Sequence, residues 1–177
     1  MRTLYTVAYP ELGAEDRRFI EAFRQVHDLP YRDVVAAHFT MVFGVADLPD
    51  EPYECHVRSV AETSEEISFT CRYAMPGAGD DDGSAHVFLV PDEGYSSISL
   101  LHDRLYEGPL ERFHRLDRPY IPHITIGTLA DRRHARALCA ELNQAGLSIA
   151  GRLRQLTVGA LQDGRFTHRL QVPIGAA

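Results

Sequence analysis

Two apolar segments of this chain carry the same polar pair at the same spacing. VVAAHFTMVFGV (34–45) holds His38 and Thr40, and YIPHITIGTL (120–129) holds His123 and Thr125. Side chains two apart on a β-strand share a face, and the residue between them points to the other. Each segment therefore reads as a strand with two unlike sides. Phe39 or Ile124 faces a core, and a histidine and a threonine face away from it. The fold has to offer both polar faces a place, and the second copy lies 85 residues after the first.

The elements around the two segments recur in the same order. Alternation predicts strands over 2–9, 66–75 and 85–91, and the β-branched, aromatic run 34–45 predicts another. Helical spacing of Phe19, Ile20, Phe23 and Val26 predicts a helix over 14–28. A second helix is expected over 48–64, with Asp50 at its start and Pro52 in its first turn. PGAGDDDGS (76–84) reads as a polar, glycine-rich hairpin loop. A helix over 96–108 ending at Gly108, the strand 120–129 and a helix over 131–146 capped by Asp131 follow. A hairpin of 147–161 with 165–174 turns across QDG. Strand–helix–strand–helix–strand thus occurs twice. The expectation is one domain spanning 1–177, with approximate repeats 1–84 and 85–177. The fold class is α+β and bilobal: two lobes related by a pseudo-twofold axis, each a largely antiparallel sheet backed by helices, with a cleft between them.

Composition narrows the chemistry. All 18 basic residues are arginine and there is no lysine. A P-loop, a Schiff-base mechanism and a lysyl-adduct nucleotide ligase each require a lysine and are excluded. A net charge of −7 suits a small anionic substrate or a chain end better than a long nucleic acid. No apolar run approaches the ~20 residues that span a bilayer, so no membrane partner is expected. Three widely spaced cysteines, Cys55, Cys71 and Cys139, without a CxxC, read as reduced, buried thiols of a cytoplasmic protein.

Two histidines facing one cleft suit in-line displacement at a phosphodiester. One group takes a proton from the attacking oxygen while the other gives one to the leaving oxygen. Histidine serves both roles because its ordinary pKa is near 6.5. Threonine hydroxyls can hold the non-bridging oxygens. The candidate catalytic residues are His38 and His123, and the candidate phosphate-binding residues Thr40 and Thr125. Tyr5, Tyr9 and Tyr120 are candidate cleft-lining residues. His27, His56, His102 and His134 fall in helices and read as surface residues; His86, His114 and His168 have no assigned partner.

HFTM and HITI resemble the paired H-h-T/S-h signatures (h, apolar) of the two-histidine (2H) phosphoesterase superfamily, the 2′-5′ RNA ligase-like proteins. RPYIPHITIGTL is similar to that family's second motif, in which an aromatic residue and a proline precede the histidine. The resemblance implies a bilobal fold and a metal-independent, cofactor-free phosphodiesterase. Its substrates would be 2′,3′-cyclic phosphates, 2′-5′ linkages or RNA 3′ ends. His38 and His123 would be catalytic, with Thr40 and Thr125 on the phosphate. In the bacterial RNA ligase-like branch an arginine usually follows the second motif; here Gly127, Thr128, Leu129 and Ala130 follow, which argues against ligation. Two alternatives stay open. One is a non-catalytic binder of nucleotides or RNA ends; the other is a metal-dependent hydrolase, although no HExxH or CxxC occurs.

Overall fold

The computed structural model describes residues 2–79 and 83–175. Residues 80–82 of the expected hairpin loop lie outside the described residues. The elements in chain order are β1 (Thr3–Ala8), β2 (Glu11–Leu12), α1 (Ala14–His27), β3 (Phe39–Val45), α2 (Asp50–Glu62), β4 (Ile67–Ala78), β5 (Ala85–Glu93) and α3 (Tyr95–Leu105). A 3-10 turn (Gly108–Phe113), β6 (Ile124–Leu129), α4 (Arg132–Gln144), β7 (Ile149–Leu153), β8 (Gln155–Gln162) and β9 (Arg165–Pro173) complete them.

Local chemistry accounts for the helices. Glu15 and Asp16 in the first turn of α1, and Arg24 and His27 in its last, oppose the helix dipole. The Asp131 carboxylate accepts the Arg133 N–H at 2.8 Å and caps α4. Gly146, at φ +76°, ends the helix in the left-handed conformation that glycine takes without strain.

The described strands form one sheet in the order β2-β7-β4-β5-β6-β3-β1-β8-β9, and every neighbouring pair is antiparallel. The sheet divides into two lobes at its centre. There β6 meets β3 through one registered pair, Phe39 with Ile124. Helices α1 and α4 pack on the β6 side of the seam, and α2 packs on β8 and β9. Phe39, Met41, Ile124 and Ile126 are fully buried under the seam. Phe39 meets the edge of Phe69 at 5.0 Å between centroids. Each half of the sheet draws strands from both ends of the chain: β2 and β4 join β5, β6 and β7, while β1 and β3 join β8 and β9.

Three expected elements differ. The strand expected over 34–45 begins only at Phe39, because residues 28–35 close successive turns, with Tyr31 and Arg32 N–H groups on the Asp28 carbonyl. The helix expected over 96–108 stops at Leu105 and gives way to the 3-10 turn. The strand expected over 147–161 is two strands in different lobes: β7 pairs with β4 and β8 with β1. The chain crosses between lobes at Arg154, whose carbonyl takes the Ile174 N–H at 2.7 Å. Arg154 also pairs with Glu66 at 2.6 Å and Glu11 at 3.4 Å.

Candidate active site

The seam places the two motif segments side by side. β3 and β6 touch at their first residues, so His38 and His123 each stand immediately before a strand. With Phe39 opposite Ile124, one antiparallel step sets His38 opposite Thr125 and Thr40 opposite His123. All four side chains then share the face opposite the core. Directly opposed Cβ atoms lie about 4.5–5.5 Å apart.

Both imidazoles are anchored in the same way. His38 Nδ1 lies 2.7 Å from the Ala36 carbonyl oxygen, and His123 Nδ1 lies 2.6 Å from that of Ile121. A carbonyl oxygen only accepts, so each Nδ1 carries the hydrogen. The basic nitrogen left on each ring is Nε2. In His38 it faces the Thr40 hydroxyl at 3.2 Å. No hydrogen bond holds the Thr125 hydroxyl among the described residues.

Burial pushes the His38 pKa down to about 4, and the charges of Arg24 and His123 push the same way against the Ala36 hydrogen bond. Burial likewise lowers His123, assisted by His86 and opposed by the Ile121 hydrogen bond. Both rings are therefore neutral near pH 7, each with an Nε2 able to take a proton.

The surroundings hold groups that period and motif do not reveal. Phe88 on β5 stacks on His123 at 3.8 Å between centroids and 28° between planes. Arg24, 7% exposed, donates through Nε to Asp28 and through Nη2 to the Val35 carbonyl, both at 2.8 Å. The Thr128 hydroxyl donates to Asp28 at 2.8 Å and accepts from His86 Nδ1 at 3.0 Å. Thr128, just past the second motif's histidine and threonine, thus ties β6 to the turn that precedes His38.

The three tyrosines separate. The Tyr9 ring stands 6.1 Å from that of His38, edge-on, and its hydroxyl bonds His168 Nε2 at 2.9 Å. Burial pushes the Tyr9 phenol up to about 12, so it stays protonated. Tyr120 lies flat on His102, 3.6 Å away and 2° from parallel, with its hydroxyl on the Thr40 carbonyl at 3.1 Å. Tyr5 packs edge-on against Phe166 at 6.4 Å, beside Gly44. Two sequence expectations are corrected. His102 is not a surface residue but is 3% exposed, because it sits on the helix face that packs under Tyr120. Cys55 is exposed rather than buried, on the outer face of α2.

A cavity of about 770 Å³ opens beside His123, with Phe88, Phe43, Tyr120 and His114 in its walls. Arg112, Arg115 and Arg118 line it from the segment after α3, with Asp117 among them. Among the described residues no helix is long and apolar enough to cross a membrane.

The family model described as the 2′-5′ RNA ligase superfamily matches residues 10–165. Among solved structures, E. coli LigT complexed with 3′-AMP is similar with a TM-score of 0.58 and 18% identity, covering 98% of each chain. E. coli LigT complexed with NADP+ gives the same values. Kluyveromyces marxianus Usb1 with uridine monophosphate is similar with a TM-score of 0.57 and 9% identity, again over 98% of each chain. At these identities the likeness is one of fold. No curated protein matches the chain.

Proposed function

The chain belongs to the 2′-5′ RNA ligase superfamily, and from that premise we propose a metal-independent phosphodiesterase acting on 2′,3′-cyclic phosphates or 2′-5′-linked nucleotides and RNA 3′ ends. One observation carries the reading. Both motif histidines commit Nδ1–H to the carbonyl two residues back and keep Nε2 for the face they share. Matched tautomers on adjoining strands are what in-line displacement asks of a base and an acid.

In this reading one neutral imidazole takes the proton of an attacking water at Nε2. The other, protonated in the substrate complex, gives its Nε2 proton to the leaving ribose oxygen. The water oxygen bonds phosphorus as the bond to the ribose oxygen breaks, and the net proton count of the pair is unchanged. The hydroxyls of Thr40 and Thr125 donate to the non-bridging oxygens. The arginine-lined cavity receives the rest of a small nucleotide, in line with the complexes of LigT with 3′-AMP and of Usb1 with uridine monophosphate. The chain is read as one unit with an internal duplication, 1–84 and 85–177. The mirrored places of β3 and β6 on either side of the seam support this.

The test is turnover of a panel of 2′,3′-cyclic nucleotides and 2′-5′ dinucleotides with and without EDTA. The expected result is hydrolysis that EDTA leaves in place. Activity abolished by EDTA and restored by a metal points to the hydrolase alternative, and nucleotide binding without turnover points to a binder.

A further inference from the structure

His102 and Asp103, in the last turn of α3, and His114, just past the 3-10 turn, each bring one ligand atom within 4.8 Å of the others. His102 is the buried member. Its Nδ1 lies 2.9 Å from the Met41 carbonyl oxygen, so Nδ1 carries the hydrogen and Nε2 is the nitrogen left to bind. Tyr120, flat against the ring, fixes its plane. Metal-binding histidines are oriented in this way, with one N–H anchored on a backbone carbonyl and the other nitrogen presented. His114 stands 5.5 Å from His102 between centroids and stacks on Tyr106 at 4.8 Å. Asp103 is exposed and no cation pairs with it among the described residues. The C-terminal carbonyls of α3 add partial negative charge at the same end.

We propose that His102, Asp103 and His114 bind a divalent transition-metal ion of the zinc type, apart from His38 and His123. Two imidazoles and one carboxylate suit zinc and its neighbours, whereas magnesium and calcium prefer oxygen donors. With bonds of about 2.0–2.2 Å, tetrahedral ligand atoms sit about 3.4 Å apart, so the cluster must tighten on binding. His114 is the member that shifts, because it stands past the 3-10 turn while His102 and Asp103 are fixed in α3. Three protein ligands leave a coordination position for water or an anion. His102 and His114 both line the cavity beside His123; the ion pins the loop to α3 and takes no part in the displacement. The ion touches neither motif histidine, and the inference stands without the phosphodiesterase reading.

The experiment is titration of EDTA-treated, dialysed protein with Zn²⁺ by calorimetry, and with Co²⁺ by visible absorption. The expected result is one equivalent bound, with the d–d bands of a four-coordinate Co²⁺ site. His114→Ala and Asp103→Asn should each weaken binding at least tenfold. The double variant His38→Ala, His123→Ala should bind as the wild type does. So should His134→Ala, which breaks the His27–His134 pair, 5.9 Å between centroids. Circular dichroism checks folding, and exposed Asp103 keeps the test decisive if His114→Ala does not fold. Absence of stoichiometric binding overturns the proposal. So does binding that survives both His114→Ala and Asp103→Asn, or that is lost with the motif histidines.

Discussion

His38 and His123 each commit Nδ1–H to a backbone carbonyl, which costs the rings freedom to turn, while burial costs them freedom to ionise. A buried imidazole loses hydration when it charges, so both pKa values fall. In a singly protonated mechanism the rate falls in acid as the base gains a proton, and falls in alkali as the acid loses one. Because both pKa values lie below the ordinary 6.5, the kcat/KM profile of the free enzyme should peak on the acid side of that value. A bound phosphodiester anion favours the imidazolium, so the kcat profile should peak at higher pH. The two limbs belong to the coupled pair. Profiles measured on a 2′,3′-cyclic nucleotide check this, and a kcat/KM peak in the alkaline range contradicts it. Replacing either histidine by alanine should lower kcat about 10²–10⁴-fold while circular dichroism stays unchanged. The double variant should fall by less than the product of the single effects, since both act on one displacement. The motif residues were legible because a strand has period two and the pattern occurs twice. Arg24 and Phe88 were not, since they reach the site from other elements through packing that no short pattern encodes; Thr128 lies in the second motif's own strand, but its partners Asp28 and His86 come together only in the fold.

At the level of elements, β4 and β5 decide how His123 is held. Gly77 on β4 pairs with His86, and a Cβ added there would lie 2.0 Å from Phe88 Cε2. Gly77→Ala should therefore push the Phe88 ring away from its stack on His123. An overpacking loss of about 1–3 kcal/mol is expected in thermal or urea melts. Misplacing the imidazole should lower kcat roughly tenfold or more, with KM less affected. Steady-state kinetics on the folded variant measure this, and unchanged kcat would mean that the stack does not position His123. Helices α1 and α4 were legible because helical spacing is reinforced by end charges in α1 and by the Asp131 cap in α4. The break at Arg154 was not. Alternation runs through it, and only the partners β4 and β1 show that the chain has changed lobes. The late start of β3 was hidden by Val34 and Val35, whose strand preference yields to turns held by the Asp28 carbonyl and by Arg24.

Across the whole molecule, the seam between β3 and β6 is narrow in hydrogen bonds and deep in apolar packing. Phe39 lies fully buried at its centre. Phe39→Ala should cost about 3–5 kcal/mol, read as a shift of the urea midpoint at unchanged m-value. If the lobes are one cooperative unit, the variant unfolds in a single transition by fluorescence and circular dichroism alike; two resolved transitions would show that they melt apart. Fold class was legible from the order of elements. The strand order was not, because antiparallel neighbours far apart in sequence are chosen by the assembled core.

That strand order also sets when the protein can fold. β1 lies between β3 and β8, and its second neighbour begins only at Gln155. A ribosome making the chain from its amino end releases the first strand long before that neighbour exists. β3 must likewise wait for Ile124. The earliest strands leave the exit tunnel with unpaired edges, the condition under which nascent chains associate wrongly. Contacts that span most of the chain also slow the search for the native arrangement. Pairing of the inner strands is thus deferred until β8 has been made, and the interval before β8 emerges is when the nascent strands are most open to wrong association.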